Sequence, residues 1–403
     1  MRLTHAEINL SYLKNNIKNI KSLLKPETKI CCAVKAGAYG NGAVECAKAA
    51  VKAGADFLAI ANVEEGRELR EAGIKAPLLM LSLCCPDEID DVIKYSITPL
   101  VFDKEYISLL DSRLSKFNVK KGSARSKAGH EASKSERSKA KFPVHLAIDS
   151  GMGRIGCYAE EAADMAKAIV NSKNLKLGGM CTHFAVSDSN KKYDVKYTKQ
   201  QFENFMTAVK NVEAAGINPG IRHSANSAAA IFNPDMQLDM VRPGIIIYGY
   251  YPDLLTKDYL LKNGVDLELK PVMSLVSGVC AIRHFKKGNS ISYGRTWIAK
   301  KDTDIAVIPA GYGDGFLRRF NKIVKPVING KAYSICGRIC MDQFMIDLGK
   351  DNKDVKRWDK VILFGAKEDG AFVDAQDIAD ATGTIPYEIM TGITKRVERV
   401  FVK

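Results

Sequence analysis

Hydrophobic positions along the first half of the chain alternate between short apolar runs and longer stretches with helical spacing. Residues 10–24 place leucine and isoleucine three or four positions apart, which predicts an amphipathic helix that ends before Pro26. The apolar run that follows is short and bounded, as is typical of a buried strand. The eight predicted strands are Ile30–Val34, Phe57–Ala61, Pro77–Leu83, Thr98–Phe102, Val144–Ile148, Gly178–His183, Gly220–His223 and Gly244–Gly249.

Eight strands separated by helical patterns such as Tyr197–Ala215 fit a (β/α)8 barrel in number and rhythm. A doubly wound sheet stays open as an alternative, because periodicity alone does not prove that a sheet closes. After about residue 250, short β-type runs separated by glycine and aspartate turns take over. These runs are Val276–Ile282, Ile305–Ile308, Met345–Leu348 and Lys360–Phe364. The sequence therefore predicts an α/β fold, with a TIM-type barrel over residues 1–250 and a mostly β C-terminal domain over residues 251–403.

Composition narrows the class of protein. With 46% hydrophobic and 26% charged residues, the chain is an ordinary globular protein rather than a disordered or fibrous one. No apolar stretch approaches the roughly 20 residues of a membrane span, and the first residues lack the layout of a signal peptide, so a cytoplasmic location is expected. The ten cysteines include no CxxC pair, which favours buried, reduced thiols and predicts no metal site.

The formal net charge of +14 raises the question of a nucleic-acid partner. Residues 116–141 contain nine Lys or Arg and two Glu, so this one segment supplies half of the net charge. Low hydrophobicity and high charge make it a poor contributor to a core, which predicts a flexible basic surface insertion. No nucleic-acid partner is therefore expected. Nucleic-acid binding would have to depend on this insertion and weaken steeply with salt.

The candidate chemistry begins with Lys35, which directly follows the first predicted strand and precedes the glycine-rich turn 36–42. In a barrel, a residue at the carboxyl end of a strand faces the active-site mouth. Desolvation there lowers the pKa of a lysine, so that it can form a Schiff base with a carbonyl cofactor or act as a base. A surface lysine without a role is the alternative interpretation.

Other strand ends carry polar groups at the same predicted edge. Residues 182–185 end the sixth strand, residues 223–227 end the seventh, and residues 241–245 open the eighth. Ser227 and the amides of Gly244 and Ile245 suit a phosphate group, which barrels commonly bind near strands seven and eight. The shared location of these groups is more informative than any of the short motifs alone.

In this order, these segments resemble the alanine racemases, pyridoxal-phosphate enzymes of fold type III. The resemblance runs from Ala6 to Arg399 and leaves out the basic insertion. The matching stretches are residues 34–40 (Val-Lys-Ala-x-Ala-Tyr-Gly), 149–156, 291–294, 311–315, 337–342 and 386–388.

The resemblance implies an isomerase that interconverts L- and D-alanine and supplies D-alanine for peptidoglycan. Its two bases are Lys35 and Tyr293, on opposite faces of pyridoxal 5'-phosphate, in a homodimer with shared sites. The implied cofactor-binding residues are Lys35, Tyr39, His183, Asn226, Ser227, Arg242, Gly244, Ile245 and Tyr387. The implied substrate-binding residues are Arg154, Tyr293, Tyr312, Met341 and Asp342, of which the last four reach the partner subunit's site.

The implied chemistry is consistent with the residue types. Lys35 and Tyr293 both have reference pKa values near 10, so at least one of them must be lowered for useful rates near neutral pH. Arg242 matches a residue beside the pyridine ring, and arginine stays protonated, which leaves the ring nitrogen unprotonated. Such a site favours prompt reprotonation over transamination and decarboxylation.

The chain departs from the family's usual pattern at four positions. Gly37 and Asn41 stand where Asn and His are usual, and Gly313 replaces a common Ala. Ala147 stands where many members carry a carbamylated lysine that braces the arginine at position 154. These differences leave the bracing of Arg154 and the substrate pocket open, and His223 is interpreted as a core histidine outside the site.

Three alternative functions remain at this point. A related racemase could act on serine or a longer amino acid, because the sequence does not settle the side-chain pocket. A fold-type-III decarboxylase also joins a barrel to a β domain, although Arg242 and the Tyr293 segment count against it. The third alternative is a non-catalytic binder of pyridoxal phosphate, which the additional β domain disfavours.

Overall fold

A computed structural model of the protein describes residues 2–125 and 141–403. The described residues begin with strand β1 (His5–Asn9) and the helix Leu10–Lys21, after which strands and helices alternate. The barrel strands are β2 (Lys29–Ala33), β3 (Phe57–Ile60), β4 (Leu78–Met80), β5 (Ile97–Val101), β6 (Phe142–Ala147), β7 (Leu175–Cys181), β8 (Ile221–His223) and β9 (Met240–Val241). The helices of this region are Ala43–Lys52, Val63–Glu71, Ile89–Lys94, Lys104–Arg125, Ala162–Asn171, Lys192–Ala214 and Ser227–Phe232.

The parallel sheet returns to its first strand. β9 pairs in parallel with β2, so that Lys29 lies opposite Met240. On the other side of β9, the amide of Asp239, which directly precedes β9, donates to the carbonyl of Arg222 in β8 at 3.1 Å. The predicted (β/α)8 barrel is therefore confirmed, and the doubly wound alternative is wrong because an open sheet would not bring its first and last strands together.

The barrel strands are apolar because both of their faces are buried. All five residues of β5 are buried, as are four of the five residues of β2. Parallel strands covered on both faces show continuous apolar runs rather than alternation. This explains why seven of the eight predicted strands overlap an observed barrel strand.

The eighth predicted strand, Gly244–Gly249, is wrong. The eighth strand of the sheet is β9, and Ile245–Tyr248 forms a 3-10 helix in which the amide of Ile247 donates to the carbonyl of Gly244 at 3.0 Å. All four residues of this helix are buried, so its short apolar run has the same appearance as a buried strand. Arg242 therefore lies just past the carboxyl end of β9.

The predicted insertion at residues 116–141 is only partly within the described residues. The helix Lys104–Arg125 continues about ten residues into it. Residues 126–140 lie outside the described residues, so the flexible surface insertion stays a prediction. Across the described ranges, no helix is long and apolar enough to cross a membrane.

The second half of the chain is mostly β, as predicted. Its strands are β10 (Met273–Gly278), β11 (Ala281–Phe285), β12 (Ser290–Ile291), β13 (Trp297–Ile298), β14 (Thr303–Ile308), β15 (Val327–Ile328), β16 (Lys331–Ala332), β17 (Ser334–Cys336), β18 (Phe344–Gly349), β19 (Lys360–Phe364) and β20 (Glu398–Val402). Its helices are Lys257–Lys262, Ala375–Thr382 and Pro386–Thr391. The single predicted run Val276–Ile282 is divided between β10 and β11.

Strand β1 connects the two halves of the molecule. It pairs antiparallel with β10 and parallel with β20, in a sheet ordered β16-β15-β19-β10-β1-β20. No strand is predicted at these residues from the sequence. Because the helix Leu10–Lys21 follows β1 directly, the chain enters the barrel from the second sheet, and the two halves are held in a defined relation.

Candidate active site

Lys35 lies two residues beyond β2, at the end of the barrel where the parallel strands finish. Burial lowers the pKa of its amine, and the nearby guanidinium groups of Arg154 and Arg242 lower it further, while the Glu65 carboxylate opposes them. A lysine with a lowered pKa has more of the neutral amine that attacks carbonyl carbons. The structure thus gives Lys35 the environment that the sequence analysis expected at a strand end.

The backbone after Lys35 turns in the left-handed sense over four residues, and Gly40 after them also has a positive φ, of 82°. Left-handed helical geometry costs an L-residue other than glycine roughly 1–2 kcal/mol. Strain of this kind persists only where the surrounding structure over-determines the conformation, and it clusters at functional sites. The four residues and their φ angles are Ala36 (51°), Gly37 (62°), Ala38 (55°) and Tyr39 (53°).

Hydrogen bonds hold both ends of this left-handed turn. The amide of Ala38 donates to the carbonyl of Val34 at 2.8 Å. The side-chain amide of Asn41 donates to the carbonyls of Ala38 and Tyr39, at 2.9 and 3.2 Å. Asn41 is fully buried, so at the position where the family usually has His it contributes two donors to carbonyls of the turn.

Tyr39 ends the turn within a group of hydroxyl and amide donors. A Cβ atom on Gly244 would lie 2.5 Å from the Tyr39 hydroxyl, so only glycine permits this approach. The Gly244 amide donates to the Ser227 hydroxyl oxygen at 2.8 Å, which leaves the hydroxyl proton of Ser227 free to donate. The ring of Tyr387, from the helix Pro386–Thr391, is 5.3 Å from that of Tyr39. Ile245 begins the 3-10 helix directly after Gly244.

Arg242 is buried, and its hydrogen bonds leave one donor for a ligand. Nη1 donates to the carbonyl and Nδ1 of His223, both at 2.8 Å. Nη2 donates to the carbonyls of Thr182 and Ser224, at 2.6 and 3.1 Å. A guanidinium carries five N–H groups, so Nε–H is the donor without a protein acceptor in the described part of the chain. None of these partners is a carboxylate.

His223 is a buried, hydrogen-bonded core histidine, as interpreted from the sequence, and it also contacts the guanidinium of Arg242. Because a guanidinium only donates, Nδ1 of His223 must accept, which places its proton on Nε2. That Nε2 is 2.8 Å from Nδ1 of His145, so His223 donates to His145. Burial, with Arg242 nearby, lowers the pKa of His145 to about 4 and that of His223 well below its usual range. Two neutral imidazoles therefore support the guanidinium.

His183 and Asn226 flank the same end of the barrel. Burial first, and then Arg242, Arg154 and Lys35, lower the pKa of His183 to about 3, so its imidazole is neutral. The Asn226 side-chain oxygen accepts from the amide of Ala229 at 3.2 Å and from the Ser187 hydroxyl at 2.9 Å. Asn226 thereby caps the helix Ser227–Phe232 and sets the start of the segment that carries Ser227.

The loop that carries Arg154 is held through its backbone. The Asp149 carboxylate accepts from the amides of Gly151 and Gly153, at 2.9 and 3.0 Å. The Tyr197 hydroxyl donates to the carbonyl of Gly151 at 2.8 Å. Ala147 is buried and provides no charge, and within the described residues no ion pair reaches Arg154. These contacts hold the backbone of the loop at Gly151 and Gly153, whereas the Arg154 side chain itself is exposed.

A second group of predicted site residues lies together on the β half of the chain. We call Tyr293, Tyr312, Met341 and Asp342 the β-domain cluster. The amide of Tyr312 donates to the carbonyl of Cys340 at 3.1 Å, next to Met341. The Ser292 hydroxyl, beside Tyr293, donates to the carbonyl of Arg338 at 2.6 Å. In this single chain, 70% of Tyr293 and 52% of Met341 are exposed, so the cluster presents an uncovered face.

Buried Asp314 supports the β-domain cluster through its hydrogen bonds to neighbouring residues. Its carboxylate accepts from Arg2 and from Nε of Arg396, the latter at 2.7 Å, and also from the amide of Gly311. Nη2 of the same Arg396 donates to Asp342 at 2.6 Å. Across residues 2–125 and 141–403, no hydrogen bond or ion pair joins Tyr293 to Lys35 or Arg242. The structure therefore brings the predicted site residues together in two separate groups.

The carboxyl ends of the barrel strands gather a lysine of lowered pKa, a buried arginine and a set of hydroxyl and amide donors. This arrangement is typical of the (β/α)8-barrel enzymes. The comparisons identify which family within that class. Residues 8–252 match the model of the alanine racemase N-terminal domain, and residues 272–401 match that of the C-terminal domain. The chain belongs to the alanine racemase family.

Individual alanine racemases are similar to this chain along nearly their whole lengths. An alanine racemase of Treponema denticola is 45% identical over all of this chain and 99% of its own. The solved alanine racemase of Clostridium difficile 630 shares 39% identity with a TM-score of 0.86, covering all of this chain and 96% of that one. One from Bacillus anthracis, solved with bound L-Ala-P, shares 33% identity with a TM-score of 0.83, over all of this chain and 96% of that one. These similarities confirm the predicted family and an isomerase.

Proposed function

We propose that this protein racemises alanine with pyridoxal 5'-phosphate bound covalently by Lys35. The observation that carries the proposal is the pairing of a lysine of lowered pKa with a buried arginine that faces no carboxylate. Such a pair suits a cofactor that has an aldehyde and a ring nitrogen accepting a hydrogen bond. The alanine racemases of similar sequence and structure support the choice of alanine.

The donor groups at the barrel end fit the proposed cofactor. The hydroxyls of Tyr39, Ser227 and Tyr387, with the backbone at Gly244 and Ile245, would hold its phosphate. The free Nε–H of Arg242 would donate to its ring nitrogen, beside His183 and Asn226. The close approach of the Tyr39 hydroxyl to Gly244 supports this assignment, because a side chain at residue 244 would fill the space between them.

When bound, pyridoxal phosphate supplies the electron sink that makes an amino-acid α-proton removable. Racemisation then needs one proton-accepting group on each face of the α-carbon. Lys35 holds or delivers a proton on one face, and the Tyr293 phenol does so on the other. Arg154 would bind the substrate carboxylate, since a guanidinium and a carboxylate form two parallel hydrogen bonds. Neutral His183 and cationic Arg242 would lie beside the ring, and neither is an anionic group that would keep the ring nitrogen protonated. This arrangement favours return of the proton to the substrate's α-carbon.

The β-domain cluster completes the proposal as part of a homodimer. Tyr293 is exposed in one chain and, in the described part of it, forms no hydrogen bond with Lys35. In a dimer whose partner subunit covers the exposed cluster, this chain's Tyr293, Tyr312, Met341 and Asp342 would lie at the barrel end of the partner subunit. We further propose that the product, D-alanine, serves peptidoglycan synthesis and that the enzyme acts in the cytoplasm.

A substrate panel tests the proposed activity. The purified protein, supplied with pyridoxal phosphate, is incubated with individual L-amino acids, and the enantiomers are separated by chiral chromatography. Alanine is expected to be racemised fastest, with no carbon dioxide released. Faster conversion of serine or a longer amino acid would show a different racemase, and release of carbon dioxide would show a decarboxylase.

Ala147 leads to a prediction about bicarbonate. Since the Arg154 loop is held by its own backbone contacts and residue 147 has no amine to carbamylate, adding bicarbonate to carbon dioxide-free buffer is expected to leave the racemisation rate unchanged. The rates are compared at constant ionic strength, with chloride as the control salt. A requirement for bicarbonate, or a carbamate on a lysine facing Arg154, would contradict the assignment.

A further inference from the structure

We propose that Glu65 is a positioning residue for Lys35: its carboxylate ties together the chain segments after β2 and β3 and holds the left-handed turn that begins beside the lysine. No sequence motif indicates a role for Glu65. The inference deepens the proposed function and rests on it, since Lys35 is there the residue that binds the cofactor.

The carboxylate of Glu65 spans two backbone amides. Oε1 accepts from the amide of Ala36 at 2.6 Å, and Oε2 accepts from the amide of Ala61 at 2.7 Å. Ala36 follows Lys35, and Ala61 directly follows the last residue of β3. Hydrogen bonds to a carboxylate are shorter and stronger than neutral ones. One side chain thus connects two strand ends at the mouth of the barrel.

The local sequence places Glu65 where it can span this gap. It is the third residue of the helix Val63–Glu71, whose preceding residue, Asn62, accepts from the amide of Glu65 at 2.9 Å. The next residue, Gly66, permits a close approach of the helix to the barrel, because a Cβ there would lie 2.4 Å from Cδ1 of Ile97. The start of the helix is therefore fixed against the barrel, and Glu65 with it.

The strained left-handed turn is held by side-chain hydrogen bonds at both ends, and Glu65 provides the one next to Lys35. Asn41 holds the carbonyls of Ala38 and Tyr39 at the far end. Glu65 holds the amide of Ala36, the first residue with a positive φ. With both ends held, the strained backbone sets the separation of Lys35 from Tyr39, the two residues of this segment that the proposed function assigns to the cofactor.

Glu65 also acts on the charge of Lys35. Burial is the main cause that lowers the pKa of the Lys35 amine, and Arg154 and Arg242 are the cationic groups that add to it. The Glu65 carboxylate is the negative group that acts in the opposite direction. Removal of this charge, with the side chain's shape kept, should lower the pKa of the amine further.

Two substitutions separate the reach of Glu65 from its charge. Glu65→Gln keeps the length and removes the charge, and Glu65→Asp keeps the charge and shortens the reach. Glu64→Gln is the matched control, because Glu64 is exposed and forms an ion pair with its helix neighbour Arg67 at 3.3 Å. Pyridoxal phosphate is added to each apoenzyme, and the visible absorbance reports the condensation of the Lys35 amine with the aldehyde, which releases one water.

Both Glu65 variants are expected to bind pyridoxal phosphate about tenfold to a hundredfold more weakly, because charge-assisted hydrogen bonds to the turn are weakened or lost. The control should stay within about twofold of wild type. The pH at which condensation is half-maximal should fall in Glu65→Gln and stay in place in Glu65→Asp. The neutral amine is the reacting form, so a lower pKa moves the profile to lower pH. If the substitution weakened cofactor binding only by disturbing the turn, the pH dependence of condensation would not shift.

The inference is wrong if the Glu65 variants bind the cofactor as tightly as Glu64→Gln, or if the pH profile of Glu65→Gln does not move. Circular dichroism of the apoenzymes shows whether each variant folds. If Glu65→Gln does not fold, the affinity of Glu65→Asp decides alone. A wild-type protein that binds no cofactor would overturn the proposed function and this inference with it, whereas normal wild-type binding with unaffected Glu65 variants would overturn the inference only.

Discussion

Lys35→Ala is expected to abolish covalent cofactor binding and to reduce racemisation by at least about 10⁴-fold, the upper end of what a single acid–base group contributes. The variant loses both the amine that reacts with the aldehyde and one of the two proton-transferring groups. Its fold should survive, because Lys35 is half-buried and the turn is held by backbone contacts and by Glu65. The measurements are the visible absorbance of the bound cofactor and the rate of D-alanine formation.

Lys48→Ala provides the control for this experiment. Lys48 lies on the nearby helix Ala43–Lys52 and pairs on the surface with Glu45. Its removal should change neither absorbance nor rate beyond about twofold, since exposed ion pairs contribute little. A Lys35→Ala protein that keeps the absorbance band would show that another amine binds the cofactor.

The fold was accessible from sequence because its strands have a distinctive pattern. Strands buried on both faces produce bounded apolar runs, and eight of them in alternation with helices predict the barrel. An apolar run does not predict a strand correctly where the residues are equally buried but the backbone is not extended. The buried run Ile245–Tyr248 is a 3-10 helix, and its backbone hydrogen bonds, such as that from Ile247 to Gly244, leave no trace in the pattern of apolar residues.

The candidate site was only partly accessible from sequence. Strand ends and short motifs indicate Lys35 and Arg242, because the location of a residue in a barrel limits its role. The residues that act on these two are found only in three dimensions. Glu65 reaches the turn after Lys35 from the helix Val63–Glu71, which follows β3, and His145 reaches Arg242 through His223. For His223, its position at the end of β8 was a signal that could have placed it in the site.

Tyr293→Phe is expected to lower racemisation by about 10²–10⁴-fold while cofactor binding stays normal, because the phenol is one of two proton-transferring groups and its ring is retained. The fold should be unaffected, since 70% of this residue is exposed in the single chain. Loss of one base should also change the α-deuterium isotope effects unequally for L- and D-alanine. Tyr193→Phe, at an exposed helix position, is the control and should keep full activity.

Subunit exchange tests whether Tyr293 acts on the partner's barrel end. In a mixture of Lys35→Ala and Tyr293→Phe chains, each heterodimer would contain one site with both bases and one site with neither. Random exchange of equal amounts makes half of the dimers mixed, so activity is expected to return to about one quarter of the wild-type value in a symmetric dimer. If each site drew both bases from a single chain, every site would lack one base and the mixture would stay inactive. Native mass spectrometry confirms that exchange has occurred, and an inactive mixture with confirmed heterodimers would show that Tyr293 serves its own chain or no site at all.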